Sequence, residues 1–195
     1  TGSATDVGRG TGEGYAVNVP LPMRTGDAGW LRALSAVVPV LLREFRPDVI
    51  VTQAGCDAHR DDPLTDLGVT VEGFGAAYQI VHGLAHELCE GRWVVVGGGG
   101  YDLGSAVPRA WAQLLAVVSG EPLAPRTVLP EAWRALSERL AGRPAPTQIG
   151  DLGKDPRWSP WDAGIGDPDD AVDRAIAATR RAALPLHGLD PLSDR

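Results

Sequence analysis

Asp57 and Tyr101 are the residues of this sequence best placed to do chemistry. Asp57 lies about four residues past a β-branched run, Asp48-Val49-Ile50-Val51-Thr52-Gln53, bounded by Pro47 and Gly55, which reads as a buried strand. The chain then turns polar through Asp57, His59, Asp61 and Asp62. In a parallel α/β sheet, ligands bind beyond the carboxyl ends of the strands, so a carboxylate there can serve a site. Read alone, such an aspartate is more commonly a turn residue bonding its own backbone. His59 adds a second reading: in an extended loop it projects the same way as Asp57, and Asp-x-His offers the oxygen and nitrogen donors that zinc takes. Tyr101 leaves a run of four glycines, Gly97 to Gly100, at the end of a second apolar run. Those glycines let backbone approach a bound group. A neutral phenol beside that space is a donor suited to a developing oxyanion, and its alternative is a packing tyrosine. The run lacks both the G-x-G-x-x-G spacing and a P-loop lysine, so dinucleotide binding ranks low.

The elements that must position these residues follow from the pattern. Residues 1–14 hold five glycines and read as loop. Tyr15 to Leu21 alternates like a strand. Asp27 is placed to cap a helix over about 28–45, whose apolar stripe includes Trp30, Leu31, Leu34, Val38 and Leu42, with a kink expected at Pro39. A second helix runs from a Thr70 cap to about Glu90 and stops at Gly91. Arg92 to Val96 is the second buried strand, and a third helix covers about 105–119. Strand, helix, strand, helix in this order implies βαβ units and a parallel sheet. From Gly120 the texture changes to proline, glycine and tryptophan, with short helices expected at 131–140 and 171–184. The expected organisation is an α/β domain over 1–120 and an appendage packed on it over 121–195.

Composition narrows the class. A net charge of −7 offers no basic patch for nucleic acid. No apolar run approaches the about 20 residues of a membrane span, and no signal peptide opens the sequence. Cys56 and Cys89 make no disulfide framework, so a reducing cytoplasm is the expected compartment. Residue 1 is threonine and the single methionine is Met23, so the chain reads as the C-terminal part of a longer protein.

Four pieces carry a resemblance: GYAVNVPLP (14–22), RPDVIVTQAGCDAHRDDPL (46–64), LGVTVEG (67–73) and VVVGGGGYDLGSAVPRAW (94–111). Together they resemble the zinc-dependent histone deacetylase family, of arginase–deacetylase fold, a three-layer αβα arrangement around a mostly parallel sheet. Within it, the WSPWDAG (158–164) and ATRRAALPLHGLDP (178–191) segments look most like the tails of bacterial acetoin utilization proteins. The resemblance implies a hydrolase that removes acetyl or other acyl groups from lysine side chains or related small amines. It implies Zn2+, with Fe2+ an option, and a structural K+ or Na+. Residue by residue it implies Asp57 as a metal ligand and Tyr101 as the group polarising the amide carbonyl. Leu64 would line the acyl-lysine tunnel, Gly99 and Gly100 would form its floor, and Tyr15 would give its backbone oxygen to the monovalent cation.

The same resemblance makes His59 a non-ligand, because the family's metal-binding Asp-x-His lies upstream. The family's tandem catalytic histidines match none of His59, His82, His86 and His187. His82 and His86 are i,i+4 on a helix, a spacing metals use, but without the glutamate of the H-E-x-x-H pattern the expected reading is a solvated or packed face. The expected partners are an acylated substrate and an N-terminal half of the same protein carrying the remaining ligands and the base. Two alternatives stand beside this. One is an arginase-branch ureohydrolase, for which the position two after Asp57 should be aspartate rather than His59. The other is a catalytically inactive α/β binding module.

Overall fold

The computed structural model describes residues 2–161 and 166–193. After a single 3-10 turn at Gly10–Gly12, helix α1 runs Asp27–Phe45, strand β1 Ile50–Gln53, helix α2 Val71–Cys89 and strand β2 Trp93–Val96. Helix α3 is Ala106–Val118, α4 is Glu131–Ala141, α5 is Ala171–Ala183, and a second 3-10 turn covers Leu184–His187. β1 and β2 pair in parallel with Ile50 opposite Trp93 and Gln53 opposite Val96, and α2 is the crossover between them. No helix among the described residues is long and apolar enough to cross a membrane.

Local chemistry sets the ends of these elements. The Thr70 side chain accepts the Gly73 N–H at 3.2 Å and starts α2, a cap worth about 1 kcal/mol. α2 stops where Glu90 and Gly91 both take positive φ, 55° and 79°, and Gly91 N–H returns to the Ala85 carbonyl. α1 stops at Arg46, at φ 49°, just before Pro47. Asp27 is not the cap of α1, which is Gly26. Its carboxylate instead accepts both the N–H and the hydroxyl of Thr70, tying the start of α1 to that of α2. α1 continues through Pro39.

The core lies among the helices and one face of the sheet. Val107, Ala110, Leu114 and Val117 line one face of α3 at spacings of three and four, and pack with Phe74 and Tyr78 of α2. Ile50 packs with Leu84, Ala85 and Cys89 of α2, and with Val38 and Leu42 of α1.

Two sequence expectations need correction. Tyr15–Leu21 is not a strand. Its alternation is real as burial, because Val17, Val19 and Leu21 pack on Ala33, Val37 and Ile176. No neighbouring strand hydrogen-bonds with it among the described residues, and pairing rather than alternation makes a strand. Nor are the two strands buried on both faces. Val51, Val94 and Val96 are exposed, Val51 by 65%, because the helices cover only the Ile50 side.

The C-terminal segment is bolted on by buried polar groups. Glu72 accepts the N–H groups of Asp151, Leu152 and Gly153. Arg32 of α1 holds Asp173 of α5 through two bonds, 2.6 and 3.0 Å, and stands over the Trp161 ring. That contact keeps the Asp173 carboxyl below its usual range. The WSPWDAG segment falls outside the described residues at 162–164.

Candidate functional site

The parallel pairing of β1 and β2 does not stop with the strands. Ala54 N–H bonds to the Val96 carbonyl at 2.8 Å, and Cys56 N–H to the Gly99 carbonyl at 2.7 Å. This continuation lays the residues after β1 against the glycine run after β2 and sets Asp57 beside Gly99. A Cβ placed on Gly99 would collide with the Asp57 carboxylate. Gly100 has φ 142°, and a Cβ there would meet the Cys56 sulfur at 2.6 Å. Both positions therefore require glycine, one for space and one for space and conformation.

Among the described residues the Asp57 carboxylate takes no hydrogen bond or ion pair; only its main-chain carbonyl is engaged, by the Thr65 hydroxyl. The surroundings are negative: burial first, then the charges of Asp57 and Asp62, push the Cys56 thiol up to about 11. An unpaired carboxylate in a negative field beside bare glycine backbone is a fitting place for a cation. Asp57 supplies one such ligand, where a catalytic zinc site takes three.

Asp62, which the sequence reading left without a role, joins two of the predicted residues. It is buried, and one carboxylate oxygen accepts the Tyr101 N–H at 2.8 Å while the other accepts the Leu64 N–H at 2.9 Å. Loop and glycine run are thereby held in one register. The Tyr101 and Leu64 side chains stand in solvent, exposed by 51% and 67%. Leu64 borders an open groove of about 640 Å3 with Leu21, Met23 and Trp30. Asp57, Gly99, Gly100, Tyr101 and Leu64 thus come together at one end of the sheet. Tyr15 does not join them: its ring packs edge-on to Phe45, at the end of α1 that precedes β1, and to His187. His187 Nε2 donates to the Gly14 carbonyl at 2.8 Å.

His59 does not project with Asp57, because residues 57–60 form a turn rather than an extended loop. Its ring is fully buried and stacked near Phe74. Nδ1 accepts the Asp61 N–H, so Nε2 carries the proton and donates to Asp151 at 2.9 Å. Asp151 also accepts from the Val71 N–H and from the buried Arg109 guanidinium. Burial alone would raise the Asp151 pKa; the His59 hydrogen bond and the Arg109 charge outweigh it and hold the carboxyl well below the usual range. His59, Asp61 and Asp151 lie close enough to surround an ion. Both ring nitrogens of His59 and both carboxylate oxygens of Asp151 are already engaged in hydrogen bonds, while among the described residues the Asp61 carboxylate meets only Arg143, at 3.7 Å. These residues therefore form a structural network in which His59 and Asp151 are not free to bind an ion. Arg109 left a trace in the sequence, a charge inside the apolar stripe of α3; Asp151, in a glycine-rich segment, left none.

An acidic turn and a glycine-tyrosine turn thus stand side by side beyond the strand ends of a parallel α/β unit. The histone deacetylase domain family matches residues 1–118, and the chain belongs to it. The acetoin utilization protein AcuC of Bacillus subtilis is 41% identical over 133 residues, which are 68% of this chain and 34% of that protein. A probable deacetylase of Archaeoglobus fulgidus is 37% identical over 145 residues, 72% of this chain and 40% of that one. Among solved structures, the HDA15 HD domain superposes with a TM-score of 0.56 at 32% identity, covering 73% of this chain and 38% of the other. The shared fold is the arginase–deacetylase fold, and the chain spans well under half the length of these relatives.

Proposed function

We propose that this chain is the tyrosine-bearing part of a metal-dependent deacetylase that hydrolyses the acetyl amide of acylated lysine side chains or of related small amines. The observation that carries the reading is the free Asp57 carboxylate packed on Gly99, two residues before Tyr101, at the carboxyl end of a parallel strand pair. Asp57 is one protein ligand, and a divalent ion there, zinc in this reading, supplies Lewis-acid polarisation of the amide carbonyl and activation of water. Tyr101 donates its phenolic proton as a hydrogen bond to the carbonyl oxygen as negative charge develops on it. Gly99 and Gly100 leave the space that the acyl group fills, Leu64 walls the alkyl chain of the substrate, and Asp62 holds the two walls together. The base that takes the proton from water, and the other two ligands, belong to the longer protein in this reading. That protein is cytoplasmic and carries a structural monovalent cation at the Tyr15 carbonyl.

Asp57→Asn in the full-length protein tests the reading. Asparagine keeps the shape and removes the charge that holds a divalent ion. Metal content after dialysis and turnover of an acetyl-lysine peptide should both collapse while the thermal melt is kept. Full metal occupancy with normal turnover would make Asp57 an ordinary turn residue.

A further inference from the structure

The last turns of α2 carry a second constellation of donors at the other end of the sheet from Asp57. His82 and His86, four residues apart, face each other with Nε2 atoms 3.0 Å apart. His82 stacks on Trp93, the first residue of β2, at 5.9 Å and 26°. Trp93 is itself anchored through its indole N–H to the Thr52 hydroxyl at 2.9 Å. The His86 ring rests on Gly91, where a Cβ would stand 3.1 Å from Cε1 and 3.2 Å from Nδ1. The two rings are thus held from both sides with their Nε2 atoms converging in an exposed position.

We propose that His82 and His86 form a surface chelate for a borderline divalent transition ion such as Zn2+, Ni2+ or Cu2+. Two imidazole nitrogens, each about 2.0–2.1 Å from one ion, lie about 2.9 Å apart at a right angle and about 3.4 Å apart in a tetrahedron. The observed separation falls inside that range, so an ion needs only small ring rotations to enter. Without metal, one Nε2 must donate to the other. Binding turns the donating ring to its Nδ1–H tautomer, so that both Nε2 lone pairs meet the ion and no proton is lost. The remaining coordination positions stay open to water or to a group from a partner. Because both donors lie on one helix, the ion staples the last turns of α2.

Calorimetric titration of the chain with Zn2+, and electron paramagnetic resonance with Cu2+, test this. We expect saturable one-to-one binding and a copper spectrum with two nitrogen donors. His82→Ala and His86→Ala should each weaken binding about a hundredfold, the usual order for losing one arm of a chelate. At a free-ion concentration one hundred times the dissociation constant, the folding equilibrium of the wild-type chain should rise about a hundredfold, and that of His86→Ala should not. Asp57→Asn should leave this binding intact, which separates it from the proposed catalytic ion. Wild-type affinity in both histidine variants, absence of saturable binding, or loss of binding in Asp57→Asn would each overturn the site.

Discussion

At the scale of single residues, Tyr101 is where chemistry and packing separate most cleanly. Its ring is half exposed and its hydroxyl has no partner among the described residues, so nothing structural depends on the oxygen. Tyr101→Phe in the full-length protein should lower kcat and kcat/KM together by about 10²–10³, or ~3–4 kcal/mol, with an unchanged melt. A KM effect alone would make the residue a wall of the binding site. Asp62 is the complementary case, holding backbone rather than substrate. Removing both acceptors in Asp62→Ala should speed amide exchange at Tyr101 and Leu64 at least about tenfold, since bonds to charged groups are worth about 1.5–3 kcal/mol each. Unchanged protection at both amides would show that the register is set elsewhere. Asp57 and Tyr101 were legible in the sequence because each follows an apolar run and a break. Asp62 was not, because a carboxylate that caps N–H groups from two separate turns looks in sequence like any turn aspartate.

At the scale of elements, helices and strands were legible from their periodicity and stop signals: Thr70 and Gly91 bracket α2, and α3 and α5 begin and end within a residue or so of their expected limits. The failures have a common cause. Tyr15–Leu21 has a strand's alternation and no partner, and Asp27 has a cap's position but bonds to a different helix. Both depend on a neighbour that sequence periodicity does not contain. The same holds for the His59–Asp151–Arg109 network, which spans 92 positions between His59 and Asp151. The Asp151 carboxyl has a lowered pKa in the folded state, so its contribution is complete above the unfolded value of about 3.9 and is lost as pH falls below it. Asp151→Asn leaves Arg109 buried beside a neutral group and should cost about 3–5 kcal/mol near neutrality. The difference between the two melts should shrink as the solution is taken below about pH 4. A difference that stays constant down to pH 3 would place the stabilisation elsewhere.

At the scale of the whole molecule, the open face of the sheet decides behaviour in solution. Among the described residues each strand has one partner, so both edges carry unpaired backbone groups. Val51 and Val94, neighbours in the register, stand side by side on the uncovered face with Val96 beyond them. On the edge of β2, Trp93, Val95, Trp111, Leu114 and Val118 border an apolar groove of about 410 Å3. Contiguous apolar surface of this kind marks an interface, and without its cover it promotes association. The relatives run to more than twice the matched length, and in the proposed reading the rest of such a chain lies against this face. The purified 195-residue chain should therefore bind a hydrophobic dye, self-associate, and show no metal-dependent turnover of an acetyl-lysine peptide. The double variant Val51→Lys, Val94→Glu places opposite charges across the register, an arrangement that favours pairing by about 0.2–1 kcal/mol. It should reduce dye emission and association while hardly moving the melt, because neither valine contributes to the core. A wild-type chain that is monodisperse and silent to the dye would show that this face needs no cover.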